Sequence, residues 1–73
     1  MPGPLRSDIE NWFVYHPPNE IQIAKYLVIR EKAKELAFCI LDNCPESADR
    51  TAAIRKLREA VMTANASIAC DEG

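Results

Sequence analysis

Asn43-Cys44-Pro45-Glu46-Ser47 is the stretch that decides how this chain folds. Asparagine is a common helix terminator, and proline lacks the N–H that would carry a helix through it. Ser47 follows as an N-cap, with Asp49 well placed in the first turn beyond it. The flanking stretches, Glu20–Asn43 and Ser47–Cys70, therefore read as two helices. In the first, Tyr26, Ile29, Ala33, Leu36 and Ile40 recur at spacings of 3, 4, 3 and 4; in the second, Ile54, Leu57, Val61, Ala64 and Ile68 do the same. Each set forms one apolar stripe. A turn this short makes the helices antiparallel neighbours. Folding at Pro45 sets Ile40 near Ile54, Leu36 near Leu57, Ala33 near Val61, Ile29 near Ala64 and Tyr26 near Ile68. The expected fold class is all-α, an antiparallel helical hairpin.

Upstream, residues 1–19 hold four of the five prolines. Within them Ser7 and Glu10 have capping-box spacing, so Asp8-Ile9-Glu10-Asn11-Trp12-Phe13 is expected to form one or two helical turns. Tyr15-His16-Pro17-Pro18 is extended, because each proline disfavours helical geometry in its predecessor. The 73 residues make one domain. It comprises an N-terminal arm over 1–19, helices over 20–43 and 47–70, and a tail over 71–73.

The stripes leave much apolar surface over. Leu27, Val28, Ala37, Phe38 and Leu41 lie off the first; Ala53, Ala60, Met62, Ala66 and Ala69 lie off the second. Burying a Leu or Phe side chain is worth about 1.5–3 kcal/mol, and short chains usually need a staple or partner subunits. A homo-oligomer is expected, helped by the small residues of Ala64-Asn65-Ala66-Ser67-Ile68-Ala69. The alternative is that the arm folds back and covers one face with Trp12 and Phe13.

Composition removes several function classes. The net charge of -2 and the lack of a strongly basic face argue against polymeric nucleic acid. No apolar run approaches the roughly 20 residues of a membrane span, and Met1–Arg6 has no signal-peptide core. Cys39, Cys44 and Cys70 are odd in number and lack paired spacing, which suits a reducing cytoplasm. A zinc site from these with His16 fails on distance, because Cys39 and Cys44 sit at the hairpin tip while His16 and Cys70 sit ~30 Å away at the open end. Cys39 is read as a small core hydrophobe. His16 has no nucleophile or orienting carboxylate tied to it, so it reads as a hydrogen-bonding surface group. No enzyme activity and no cofactor is expected.

Two residues stand out as binding candidates. Arg30 follows the seam residue Ile29, borders the seam, and carries a guanidinium suited to gripping phosphate. Tyr15 sits on a proline-stiffened segment, where its ring either stacks on a base or pins the arm to the hairpin. Among the other charges, Glu31–Lys34 and Arg55–Glu59 are expected as helix-surface pairs.

The order of these pieces resembles a known family. It runs from Tyr15-His16-Pro17-Pro18 through Tyr26, Ile29-Arg30 and Ala33-Lys34-Glu35-Leu36-Ala37 to Cys44-Pro45-Glu46-Ser47. It ends in Ala60-Val61-Met62-Thr63-Ala64-Asn65-Ala66-Ser67-Ile68-Ala69. It is similar to the small phage-encoded anti-CBASS sponge proteins, which sequester cyclic-nucleotide alarm signals. The resemblance implies a helical hairpin assembled into a hexamer in the cytoplasm of the infected bacterial host. Cyclic dinucleotides would bind between protomers and cyclic trinucleotides in separate pockets, without being degraded. It implies a binding set of Tyr15 with its neighbours His16 and Pro17, Arg30 on phosphate, and Lys32 and Lys34 in lesser roles. The chain departs from the family pattern at Thr63, where relatives carry Trp, and at Cys70, where they carry a basic residue. The competing reading is a helical oligomeric module that binds a host protein through its apolar face.

Overall fold

The computed structural model describes residues 3–71 of the chain. It is all-helical over the described residues: α1 spans Arg6–Trp12, α2 spans Glu20–Asn43 and α3 spans Ala48–Asp71. Helices α2 and α3 form the antiparallel hairpin, and α1 packs against α3. Asp71 closes α3, so the expected tail is described only there; its other residues, and residues 1–2 of the arm, lie outside the described residues.

Local chemistry explains each helix end. At the start of α2, Gln22 N–H donates to Asn19 Oδ1 at 2.8 Å and Asn19 N–H donates to Gln22 Oε1 at 3.1 Å. This reciprocal pair is a capping box in which Asn and Gln take the usual places. At the tip, Cys44 N–H closes α2 on the Ile40 carbonyl at 3.0 Å, and Cys44 is extended just before Pro45. Ser47 then caps α3, its Oγ accepting from Arg50 N–H at 3.1 Å. The arm differs from expectation. Ser7 lies inside α1, and the residue before the helix is Leu5, whose N–H donates to the Asp8 carboxylate at 2.8 Å. Moving the cap two residues upstream lets Asp8 serve the helix start directly.

The seam follows the stripes with one correction. In α3, Ile54, Leu57, Val61 and Ala64 are half-buried and Ile68 is buried. In α2, Tyr26, Ile29, Ala33 and Ile40 are half-buried, but Leu36 is 48 % exposed and Ala37 takes its place in the seam. A straight helix repeats every 3.6 residues, so a strict heptad stripe drifts around it by about 20° per heptad. Near the tip the drift swings Leu36 outward and Ala37 inward. At the open end the buried partner of Ile68 is polar: Gln22 Nε2 donates to the Ile68 carbonyl at 3.2 Å.

The hairpin is a single layer. Its extents are 43 × 32 × 18 Å and its radius of gyration is 15.3 Å, against roughly 11 Å for a compact domain of this length. Its accessible surface is 6191 Å², whereas a compact monomer of 8.2 kDa exposes roughly 4,500 Å². The excess, roughly 1,700 Å², equals about two standard protein–protein contacts per chain, each near 800 Å² a side. The arm does not cover this surface: Trp12 is 52 % and Phe13 85 % exposed. Leu27, Val28, Phe38 and Leu41 are exposed as well. Cys39, expected in the core, is exposed in the single chain, because it stands one residue before Ile40, about 100° around the helix from that seam residue.

Candidate functional site

The hairpin's two flanks carry different chemistry. On one, Arg30 and Lys34 of α2 and Arg58 of α3 border a groove of about 290 Å³. Its floor is apolar, formed by Ala33, Ala37, Leu57 and Val61, with Met62 at the edge. On the other, Lys32 borders a groove of about 370 Å³ lined by Val28, Ile29, Leu36, Ala60 and Ala64. That second groove continues toward the open end past Ile21, Ala24 and Lys25 to Ile68.

Antiparallel packing produces this division. Arg30 and Lys34 each follow a seam residue of α2, Ile29 and Ala33. Arg58 and Met62 each follow a seam residue of α3, Leu57 and Val61. Facing two right-handed helices and reversing one of them brings the following positions of both to one flank. The preceding positions, Val28, Leu36 and Ala60 among them, fall on the other. The acidic residues Glu31, Glu35 and Asp42 point away from α3, given 100° per residue. The carboxylates of α2 thus stand off the cationic groove, and a chain of net charge -2 presents a positive flank.

The charged pairs differ from the expected ones. Lys32 Nζ lies 3.7 Å from Glu35. Among the described residues neither Glu31–Lys34 nor Arg55–Glu59 closes within ion-pair distance, and Arg30, Lys34 and Arg58 have no carboxylate partner. Lys32 and Lys34 therefore sit on opposite flanks, one tethered and one open.

Tyr15, His16 and Pro17 lie elsewhere, at the open end. Tyr15 is 81 % exposed, so its ring does not pin the arm to its own hairpin. His16 fills that structural role. Its Nε2 donates to the Asn11 carbonyl at 2.7 Å, and Asn11 Nδ2 donates to the Cys70 carbonyl near the end of α3 at 3.1 Å. This relay fastens the arm to the last turn of α3 and leaves Tyr15 projecting from it. Tyr15 lines none of these three grooves, and so stands apart from Arg30 among the described residues. Among the described residues, no cluster of three or more His, Cys, Asp or Glu is arranged to hold a metal ion.

Four residues with a notable place in the structure escaped the sequence reading. Arg58 repeats on α3 the position of Arg30 on α2, one step past the seam, and that equivalence was available to find it. Asn19 and Gln22 have capping-box spacing with Asn in place of Ser or Thr. Asn65 left no signal beyond its place in the Ala-rich run: its Oδ1 is buried with no hydrogen-bond partner among the described residues. An unmet buried acceptor costs about 1–3 kcal/mol. At the two departures from the family pattern, Thr63 Oγ1 donates back to the Glu59 carbonyl at 3.0 Å, and Cys70 is half-buried under Asn11.

No helix among the described residues is long and apolar enough to cross a membrane. No curated protein and no solved structure matches the chain. A family model described as Acb2/Tad1, hairpin domain, matches residues 6–69, which takes in α1, the arm, α2 and nearly all of α3. The chain belongs to the Acb2/Tad1 hairpin-domain family, the anti-CBASS cyclic-oligonucleotide sponges, a family of binding proteins rather than enzymes.

Proposed function

We propose that this protein binds cyclic dinucleotides, and cyclic trinucleotides in separate pockets, and withholds them from CBASS effectors in the cytoplasm of a phage-infected bacterium. It does so as a homo-oligomer, with a hexamer as the expected state, and returns its ligands intact. The observation that carries the reading is the family match across residues 6–69.

The physics of the single chain supports it. The cation-rimmed groove, at about 290 Å³, falls at the lower edge of the ~300–1,000 Å³ typical of small-ligand sites. It has room for a phosphate and part of a base. A whole cyclic dinucleotide needs a second wall. Tyr15 projects from the far end of the chain with its ring unused. The excess surface calls for neighbours, and a neighbour brings such a ring within reach of Arg30. A cyclic dinucleotide has two phosphates and two bases related by a pseudo-two-fold axis. A two-fold contact between subunits presents each residue twice, so paired copies of Tyr15 and Arg30 match both halves of the ligand. His16 serves this site through the arm, and Pro17 by stiffening the segment that carries Tyr15.

Titration calorimetry with cyclic di-AMP, cyclic di-GMP and cyclic GMP–AMP tests the proposal. Micromolar or tighter binding of at least one is expected, together with a raised melting temperature, since a ligand that binds only the folded state stabilises it. Denaturing the complex should release unchanged ligand. Linear products would instead mark a phosphodiesterase. No heat and no thermal shift with any of the three would favour the protein-binding module, for which the exposed Phe38 and Leu41 speak.

A further inference from the structure

Arg58 has no helical reason to be where it is. Residues three and four away on its helix are Ile54, Arg55, Val61 and Met62, so no carboxylate stands at salt-bridge spacing. Glu59 is its chain neighbour and lines with it, Arg55 and Met62 a shallow groove on the outer side of α3, but forms no ion pair with it among the described residues. Arg30 is in the same position, with Tyr26, Leu27, Ala33 and Lys34 at those spacings. The two guanidiniums and Lys34 nevertheless rim one groove. Three cations with no ion-pair partner among the described residues thus border one apolar floor. An anion in the groove would face all three, and each contact would be charge-assisted.

From this geometry we infer that Arg58 is a third phosphate-binding residue of the cyclic-oligonucleotide site. It grips from α3 what Arg30 and Lys34 grip from α2. The inference rests on the proposed cyclic-nucleotide binding and adds to it a residue and a consequence. Arg30 and Lys34 belong to one wall, and Arg58 supplies the other, so a bound phosphate bridges the two helices. Guanidinium forks suit phosphate bidentately from both sides. Ligand binding then ties the hairpin shut as well as filling it.

The test compares the whole protein with its R58A, R58K, R30A and R55A variants by calorimetry, using the tightest-binding cyclic dinucleotide of the panel. Light scattering checks assembly alongside. Arg55 neighbours Arg58 on the surface but lies outside the groove. Losing a charge-assisted hydrogen bond corresponds to a roughly 10- to 100-fold drop in affinity. R58A should fall in that range, R58K should recover part of the loss, and R55A should stay within about twofold. R58A should also lose most of the ligand-induced thermal shift. Normal binding by R58A beside impaired binding by R30A overturns this inference and leaves the functional reading standing. Dissociation of the assembly by R58A overturns it too, by making Arg58 a subunit contact. Absence of cyclic-dinucleotide binding by the unmodified chain overturns the functional reading, and this inference with it.

Discussion

The two flanks of the hairpin are made by the same pair of helices, yet one is lined by Arg30, Lys34 and Arg58 and the other by Val28, Leu36, Ala60 and Ala64. Both border the same seam and both are open to solvent. What separates them is one residue step: Arg30, Lys34 and Arg58 follow seam residues, whereas Val28, Leu36 and Ala60 precede them, with Lys32 also among the preceding positions. A two-helix layer hides only the facing third of each helix, so the remaining surface is free to carry two unrelated functions. The apolar flank, with small residues that permit close approach, suits contact with another copy of the chain. The cationic flank suits an anion. The largest test of this division is Val28→Asp, since Val28 lines both apolar grooves. Placing a carboxylate in a dry contact carries a penalty of several kcal/mol. Sedimentation should show the variant as a monomer, and ligand binding should vanish with the assembly. A monomer that still binds ligand tightly would show that one chain holds the complete site.

Arg30→Ala attacks the other flank. Assembly should persist while affinity for a cyclic dinucleotide drops by about 1.5–3 kcal/mol, the worth of a charge-assisted hydrogen bond. Raising the salt concentration should weaken binding by the parent more than by the variant. Tyr15→Ala belongs to neither flank, and its expected loss is similar or smaller, about 1–3 kcal/mol for one base stack. Calorimetry beside light scattering separates these from the Val28 result. If Tyr15→Ala binds normally, the ring projecting from the arm has no base to meet.

The hairpin, its tip and most of its seam were legible in the sequence because each rests on local chemistry. Pro45 stops one helix, Ser47 starts the next, and the α3 stripe needs only period counting. Leu36 failed for a geometric reason: a seven-residue repeat describes supercoiled helices, and these two are too short and straight to hold it. Cys39 failed for a simpler reason: it stands one residue before Ile40, off the expected stripe as well as the observed one, and is exposed. His16 was read as a surface hydrogen-bonding group and as part of the binding set. Its bond to Asn11 depends on α1 docking against the end of α3, a contact between chain ends that no local pattern encodes. Arg30 was visible from the seam, whereas Arg58 required the further step of seeing that following positions on antiparallel helices share a flank. Asn65 lay beyond sequence reasoning, since burial without a partner is a property of packing alone.

The smallest expected effect falls on Lys32, and it separates the flanks most finely. Lys32 and Lys34 are two residues apart, equally charged, and placed on opposite sides of the hairpin. Lys32 is tied to Glu35 across 3.7 Å on an exposed surface, and such pairs contribute about 0–1 kcal/mol. Lys32→Ala should therefore change cyclic-dinucleotide affinity by no more than about twofold and leave the melting temperature nearly unmoved. Lys34→Ala removes a cation from the groove itself and should weaken binding several-fold more than Lys32→Ala does. Parallel titrations of the two variants decide the matter. Equal losses would mean that both flanks meet the same ligand, and the division between an assembling side and a binding side would fall. Loss of a cyclic trinucleotide alone in Lys32→Ala would give each flank its own ligand, because the two lysines carry the same charge on opposite sides of the seam.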